Sequence, residues 1–264
     1  MKQPRPRILV FDSGLGGLSI VRELQTLQLE IDLYYLADTA YFPYGEKSDA
    51  RLIVRVPSII ERGAGACQAD LVIIACNTAS TLALEQVRAS LNIPVIGVVP
   101  AIKPAAALTK TNVIGLLATP NTVARPYTDK LISDFAGGVK VIRHGAVGLA
   151  GGAEHMLAGG VVDSDIIATS IKGLFGQEGG VDIDAVVLAC THYPHLKAEL
   201  MAAAPRPVTW VDSGAAIARR VQSVLGVWVQ GDTRLYTAFT TGGYDASTLR
   251  AFKMWGFREF EKLL

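Results

Sequence analysis

The chain has 264 residues, 50% of them hydrophobic, and a formal net charge of +1. That length supports one large or two modest domains with real cores. The near-neutral charge leaves no electrostatic footprint for nucleic acid or an anionic membrane, and no stretch approaches the ~20 apolar residues of a membrane span.

The basic start MKQPRPR leads into ILVF (8–11), but Asp12 interrupts this run too early for the apolar core of a signal peptide. A cytoplasmic protein is expected, since a reducing compartment suits the free thiols. RILVF (7–11) predicts a strand, and GLSIVRELQTL (17–27) a helix with Leu18, Val21 and Leu24 on one face. IDLYYLA (31–37) is a strand. A helical pattern follows over 48–67, where Pro57 should break or kink the helix. DLVIIA (70–75) predicts a strand, and 78–91 a helix with Leu82, Val87 and Leu91 aligned. PVIGVV (94–99), NVIGLLA (112–118) and VKVIRH (139–144) continue the strands. DSDIIATSIKGLF (163–175) predicts a helix capped by Asp163. DAVVLA (184–189), VTWV (208–211) and RLYTAFT (234–240) complete the strands, while 211–221 and the segment from Thr240 to Gly256 each add a helix.

These strands are nearly continuous apolar runs rich in β-branched residues, as in a parallel sheet covered on both faces. Alternation with helices argues an α/β fold with right-handed crossovers. An internal echo, ILVFDSGLGGL (8–18) against VIGLLATPNTV (113–123), points to two similar α/β units facing each other, with a crossing near Pro100 and Pro104. Ligands of such sheets bind beyond the carboxyl ends of the strands, where Asp12, Ser13, Cys76, Thr119 and Cys190 all fall.

The echo is closest between DLVIIACNT (70–78) and DAVVLACTH (184–192). Both end an apolar strand in Ala-Cys followed by hydrogen-bonding side chains: Asn77 and Thr78, then Thr191 and His192. A lone cysteine at such a place is usually a small buried hydrophobe, and Cys67, which lacks polar company, fits that class. The paired context of Cys76 and Cys190 does not. A helix start also favours thiolate. Three chemistries remain open for two such thiols. They could form a redox disulfide. They could bind zinc with His192, although no CxxC spacing exists. Or they could act as opposed acid and base on one carbon, removing a proton from one face and returning one to the other. Asp12 and His192 stand beside the two thiols in sequence, able to shuttle protons or orient the sulfurs. The turn DSGLGG (12–17) fails the dinucleotide fingerprint because Ser19 replaces the third glycine, and it has no P-loop lysine. The loop ADTAYFPYGEKS (37–48) offers the Tyr44 phenol and the Gly45 backbone N–H.

With FDSGLGGLSI, ADTAYFPYGEKS, IIACNTAS, VIGVVPAIKPA, LATPNTV, LACTHYPHL, VDSGAAIA and TTGGYDASTLRAF, the chain resembles the glutamate racemases of the cofactor-independent aspartate/glutamate racemase superfamily. The resemblance implies two pseudo-symmetric α/β domains, 1–98 with 209–264 and 99–208, and an active site in the cleft between them. It implies Cys76 and Cys190 as the two acid/base thiols, the first acting on D-glutamate and the second on L-glutamate, with Asp12 and His192 in supporting acid/base positions. Substrate contacts carry over to Asp12, Ser13, Tyr44, Gly45, Asn77, Thr78, Thr119, Thr191 and His192. Neither pyridoxal phosphate nor a metal is implied, and the product D-glutamate feeds peptidoglycan synthesis. Glutamate is the expected small-molecule partner; nucleic acid and membrane are not expected, and a homodimer is compatible with the sequence. One stretch departs from the family. Where relatives often carry a bulky Cys-Pro-Leu segment before a glutamate, this chain has GAVGLAGGAEH (145–155), keeping Glu154. An aspartate racemase is the near alternative, and a thiol redox or metal-binding module the distant one.

Overall fold

Buried apolar strands associate into sheets here, because lateral hydrogen bonding satisfies a backbone that is covered on both faces. The computed structural model describes residues 5–226 and 235–263. Residues 1–4 of the basic start and Arg234, which opens one expected strand, lie outside them. The chain divides into two compact units, 1–98 with 214–264, and 99–213.

In the first unit the chain runs β1 (Arg7–Asp12), α1 (Leu18–Gln25), β2 (Asp32–Ala37), α2 (Asp49–Cys67), β3 (Leu71–Ile74), α3 (Asn77–Ser90) and β4 (Val95–Gly97). It then enters the second unit: α4 (Ile102–Leu108), β5 (Val113–Ala118), α5 (Pro120–Ala124), α6 (Pro126–Phe135), β6 (Lys140–Gly145), α7 (Leu149–Leu157), α8 (Ser164–Phe175), β7 (Ala185–Ala189), α9 (Lys197–Ala203) and β8 (Thr209–Val211). The return to the first unit adds α10 (Gly214–Leu225), β9 (Leu235–Thr240), α11 (Ala246–Met254) and β10 (Glu259–Lys262). Strand order is β10-β9-β2-β1-β3-β4 in one sheet and β6-β5-β7-β8 in the other. Every pairing is parallel.

The strands expected from sequence stand where they were expected, to within a residue or two at their ends, and Asp163 caps α8 by accepting from the Asp165 N–H at 2.8 Å. Three features differ. Pro57 does not break α2, which runs unbroken through it. The loss there is one backbone hydrogen bond, while Leu52, Val56, Ile59, Ile60, Ala64 and Cys67 bury a whole face of the helix. The expected division at 208/209 moves to 213/214, because Thr209 to Val211 pair with Ala185 to Val187 and so belong to the second sheet. The strand β10 has no counterpart in the sequence pattern. Its residues EFEK are mostly exposed at the sheet edge, so no apolar run marks it, and charged edges are how sheets discourage pairing with other chains. No helix among the described residues is long and apolar enough to cross a membrane.

Register decides what meets at the carboxyl edge of each sheet. In the first unit Phe11 pairs with Ile74, so the turn after β1 and the residues after β3 emerge side by side. In the second, Ala118 pairs with Ala189, so Thr119 and Cys190 leave adjacent strands at one level.

Candidate active site

In the first unit β1 delivers Asp12, fully buried, into the tight turn that starts α1. The Asp12 Oδ1 accepts from the Gly14 N–H at 2.9 Å and from the Ser13 hydroxyl at 3.4 Å. Gly17 is required by crowding. A side chain there would meet the Tyr35 hydroxyl at 2.8 Å, Ala75 at 2.9 Å and Asp12 at 3.0 Å. The Tyr35 hydroxyl in turn donates to the Gly14 carbonyl at 2.8 Å. The glycine-rich turn is therefore a packing device that brings Asp12 and Ser13 against the end of β3.

At that end Cys76 is 6% exposed, and its Sγ lies 3.7 Å from the Ser13 Oγ. It is the residue that caps α3, with its carbonyl accepting from the Ser80 N–H at 2.8 Å. The first-turn N–H groups and the helix dipole make this a favourable place for negative charge. Asn77 and Thr78, in that first turn, are buried, and the Asn77 Oδ1 is sealed from solvent with no hydrogen-bond partner among the described residues. A buried acceptor left open in this way points to a missing donor.

Tyr44 packs in the same apolar cluster as Cys76. Its phenol, however, is committed: it donates to the Asp38 Oδ2 at 2.5 Å. Asp38 is fully buried and also accepts from Arg55 at 2.6 Å on each oxygen and from the Thr241 hydroxyl at 2.6 Å. Burial, then the Asp38 charge and hydrogen bond, push the Tyr44 phenol well above its ordinary range. Asp38 thus ties the Tyr44–Gly45 loop to α2 and to the end of β9. In the sequence, Asp38 is marked only as an acid directly following a strand.

In the second unit Cys190 follows β7 and is 7% exposed. It does not cap an α-helix as Cys76 does. A 3-10 turn, Tyr193–Leu196, intervenes before α9, with Pro194 early in it where a missing N–H does no harm. The Cys190 Sγ stands 3.8 Å from His192 Nδ1, and His192 Nε2 lies 2.7 Å from Glu154 Oε2 on α7. Thiol, imidazole and carboxylate therefore form a chain. His192 is 2% exposed. Burial opposes its charged form, but the hydrogen bonds to Cys190 and Glu154 and their charges outweigh burial, holding the imidazole well above its ordinary value. Burial and the nearby Cys190 raise the Tyr193 phenol as well. Thr191 is buried beside them, and Thr119, also buried, caps α5 with its Oγ1 3.0 Å from that of Thr122.

The structure thus gathers Asp12, Ser13, Cys76, Asn77 and Thr78 at one sheet edge, and Thr119, Cys190, Thr191 and His192 at the other. Glu154, a lone acid in the divergent stretch 145–155, is the addition, brought to His192 by the fold. All three cysteines are free thiols. Among the described residues no three His, Cys, Asp or Glu side chains cluster as a metal site.

Residues 19–221 match the family model for Asp/Glu/hydantoin racemases. A glutamate racemase of Sphingopyxis alaskensis is 51% identical over 83% of this chain and 81% of its own, and one of Vibrio cholerae is 46% identical over 84% and 82%. Among solved structures, the glutamate racemase of Escherichia coli, in complex with L-glutamate and the activator UDP-MurNAc-ala, superposes with a TM-score of 0.89 at 39% identity over 98% of both chains. This chain, which places a buried free thiol after a parallel strand in each unit, belongs to the Asp/Glu/hydantoin racemase family, among the glutamate racemases.

Proposed function

We propose that the chain interconverts L- and D-glutamate with Cys76 and Cys190 as its two acid/base groups. The observation that supports it best is the pair of buried free thiols, each ending a strand of a parallel sheet and each backed by a different polar partner. Cys190 takes the α-proton of L-glutamate and Cys76 returns one to the opposite face; the reverse order converts D-glutamate. The α-proton is very weakly acidic, so the site must hold the developing carbanion charge with fixed dipoles. The first-turn N–H groups of α3, with Asn77 and Thr78, serve that end on one side, and Thr119, Thr191 and His192 on the other. Ser13 and Asp12 orient the Cys76 sulfur. Glu154 holds His192 so that its Nδ1 faces Cys190. Since the Tyr44 phenol is engaged by Asp38, the substrate contact at this loop passes to the Tyr44–Gly45 backbone.

As in the family, the D-glutamate formed would supply peptidoglycan synthesis, in the cytoplasm, where free thiols persist. A homodimer is part of the same proposal, checked by light scattering.

The test is turnover of L-glutamate in D2O with no added cofactor. Two opposed bases place solvent deuterium in the D-glutamate formed while the unconverted L-glutamate keeps its proton at early times. Deuterium appearing equally in both enantiomers from the start would overturn the two-thiol scheme in favour of a single base.

A further inference from the structure

On the first unit a concavity of about 580 Å³ runs along α2, within the ~300–1,000 Å³ range of small-molecule sites. Arg51, Arg55, Ser58 and Arg62 line it. Each follows the one before by three or four residues, so all four share one face of the helix. Tyr41, from the loop after β2, joins them, with the Arg55 guanidinium 4.7 Å and the Lys47 ammonium 5.5 Å from its ring centre. Among the described residues no acid lines the concavity, and the two acids of α2, Asp49 and Glu61, stand outside its lining.

Pairing within the fold does not account for these cations. Asp38 accepts from Arg55 Nε and Nη2, which leaves Nη1 for another partner. Arg62 meets only a neutral group, the Leu263 carbonyl at 3.3 Å. The Arg51 and Ser58 side chains, both exposed, have no hydrogen bond or ion pair among the described residues. Like charges one turn apart, as at Arg51 and Arg55, weaken a helix, and an anion bound beside them relieves the repulsion. Guanidinium groups match phosphate oxygens in paired N–H···O contacts. Arg51 and Arg62 leave the helix ~16 Å apart along its axis, so one small anion does not serve both. Phosphate groups strung along a molecule do.

We propose that this face of α2 is a binding site for small oligophosphates, with phosphate groups on Arg51 and Arg62, the Ser58 hydroxyl donating between them and Arg55 Nη1 adding a fourth contact. Charge complementarity selects the occupant. A neutral molecule gains nothing from the guanidinium charges, and a cation is repelled. The site lies within the first unit and uses neither thiol. Arg55 joins it to the rest of that unit, because the same guanidinium holds Asp38, the acid that ties down the Tyr44–Gly45 loop.

The experiment is titration calorimetry of the full chain with tripolyphosphate, orthophosphate and hexaglutamate at one fixed ionic strength. Tripolyphosphate should bind about tenfold or more tightly than orthophosphate, which reaches only one end of the arginine row, and more tightly than hexaglutamate. Arg51→Gln and Arg62→Gln should each weaken tripolyphosphate about threefold or more, and together about tenfold or more. Both side chains are exposed, and melting temperature reports that the variants are folded. Arg22→Gln removes the same charge from an exposed residue of α1 outside the concavity, and should change the affinity by less than about twofold. No binding of tripolyphosphate, no preference for it over orthophosphate, affinity that survives the double change, or an equal loss in Arg22→Gln would each overturn the proposal. So would tighter binding of hexaglutamate, which would make this face a docking surface for an acidic protein segment. Because racemisation is not the readout, failure here leaves the thiol mechanism untouched, and failure of that mechanism leaves this site standing.

Discussion

Cys76 and Cys190 follow strands of the same kind, yet different chemistry meets each sulfur. Against Cys76 stands the hydroxyl of Ser13 at 3.7 Å, with the Asp12 carboxylate bonded to Ser13 and to the Gly14 N–H. Against Cys190 stands an imidazole nitrogen at 3.8 Å, backed by the Glu154 carboxylate at 2.7 Å. A hydroxyl orients a sulfur but does not hold a positive charge near neutral pH. An imidazole does, and the partners of His192 favour its charged form. Like strands have therefore been fitted with unlike second groups, and under the proposed mechanism the two proton transfers would lean on different residues. In that scheme the two directions share one equilibrium, while a change beside either sulfur would alter its own proton-transfer step more than the other.

The largest effect should come from the thiols themselves. Cys76→Ala and Cys190→Ala should each lower turnover in both directions by about 10³-fold or more, since loss of one proton carrier blocks the passage whichever enantiomer enters. Chiral analysis of the product measures it. Full activity in either variant would remove that cysteine from the mechanism.

Glu154→Gln separates the two sites. It keeps an acceptor near His192 but removes the charge, so kcat should fall by about 10- to 100-fold while the hydrogen bonds around Ser13 and Asp12 stay intact. The same variant tests the electrostatics. The folded-state pKa of His192 lies above its unfolded value of ~6.5, so its pairing adds stability that is fully present below about pH 6.5 and lost as pH rises through the folded value. In Glu154→Gln the His192 titration followed by NMR should move down, and the stability gap to the parent protein should be widest on the acid side of that range. A gap that widens with rising pH would contradict the assignment.

Gly17→Ala acts on the Cys76 side alone. The added methyl would crowd Tyr35, Ala75 and Asp12, all at 3.0 Å or less, and the neighbours are backbone-anchored in a packed turn. A loss of ~1–3 kcal/mol in stability is expected, with reduced turnover, read by denaturant melts and kinetics.

How much of this was legible beforehand follows from where the signal lay. The central strands β1, β3, β5 and β7 announced themselves because burial on both faces demands unbroken apolar runs. The edge strand β10, half charged, did not. The cysteines were legible because each repeats a strand and a small polar turn. Their partners were harder. His192 is two residues from Cys190, but Glu154 comes from a helix 38 residues away, and only the folded pairing of α7 with the turn after β7 brings it to the imidazole. Tyr35 looks in the sequence like one more residue of a strand, although its hydroxyl donates to the Gly14 carbonyl and so fixes the turn that carries Asp12 and Ser13. Local pattern reports which face of a strand is buried; it does not report what a buried hydroxyl or carboxylate will meet from another element.

Tyr44 carries the smallest effect and separates two roles that the sequence could not. If its phenol touched substrate, Tyr44→Phe would lower kcat/KM by about 10-fold or more, because a polar group on the substrate would be left unmet. The structure gives the phenol a different partner. Asp38 accepts one of its four hydrogen bonds from Tyr44 and the others from Arg55, twice, and from Thr241. Removing the phenol oxygen leaves the buried carboxylate still paired with a guanidinium and a hydroxyl, so the loss should be ~1 kcal/mol of stability, with kcat/KM changed by less than about threefold. The ring, which packs with Phe11 at 6.3 Å and with Tyr41 at 6.3 Å, stays in place in the variant. A fall in kcat/KM without a fall in stability would return the phenol to the substrate and make Asp38 the group that aims it.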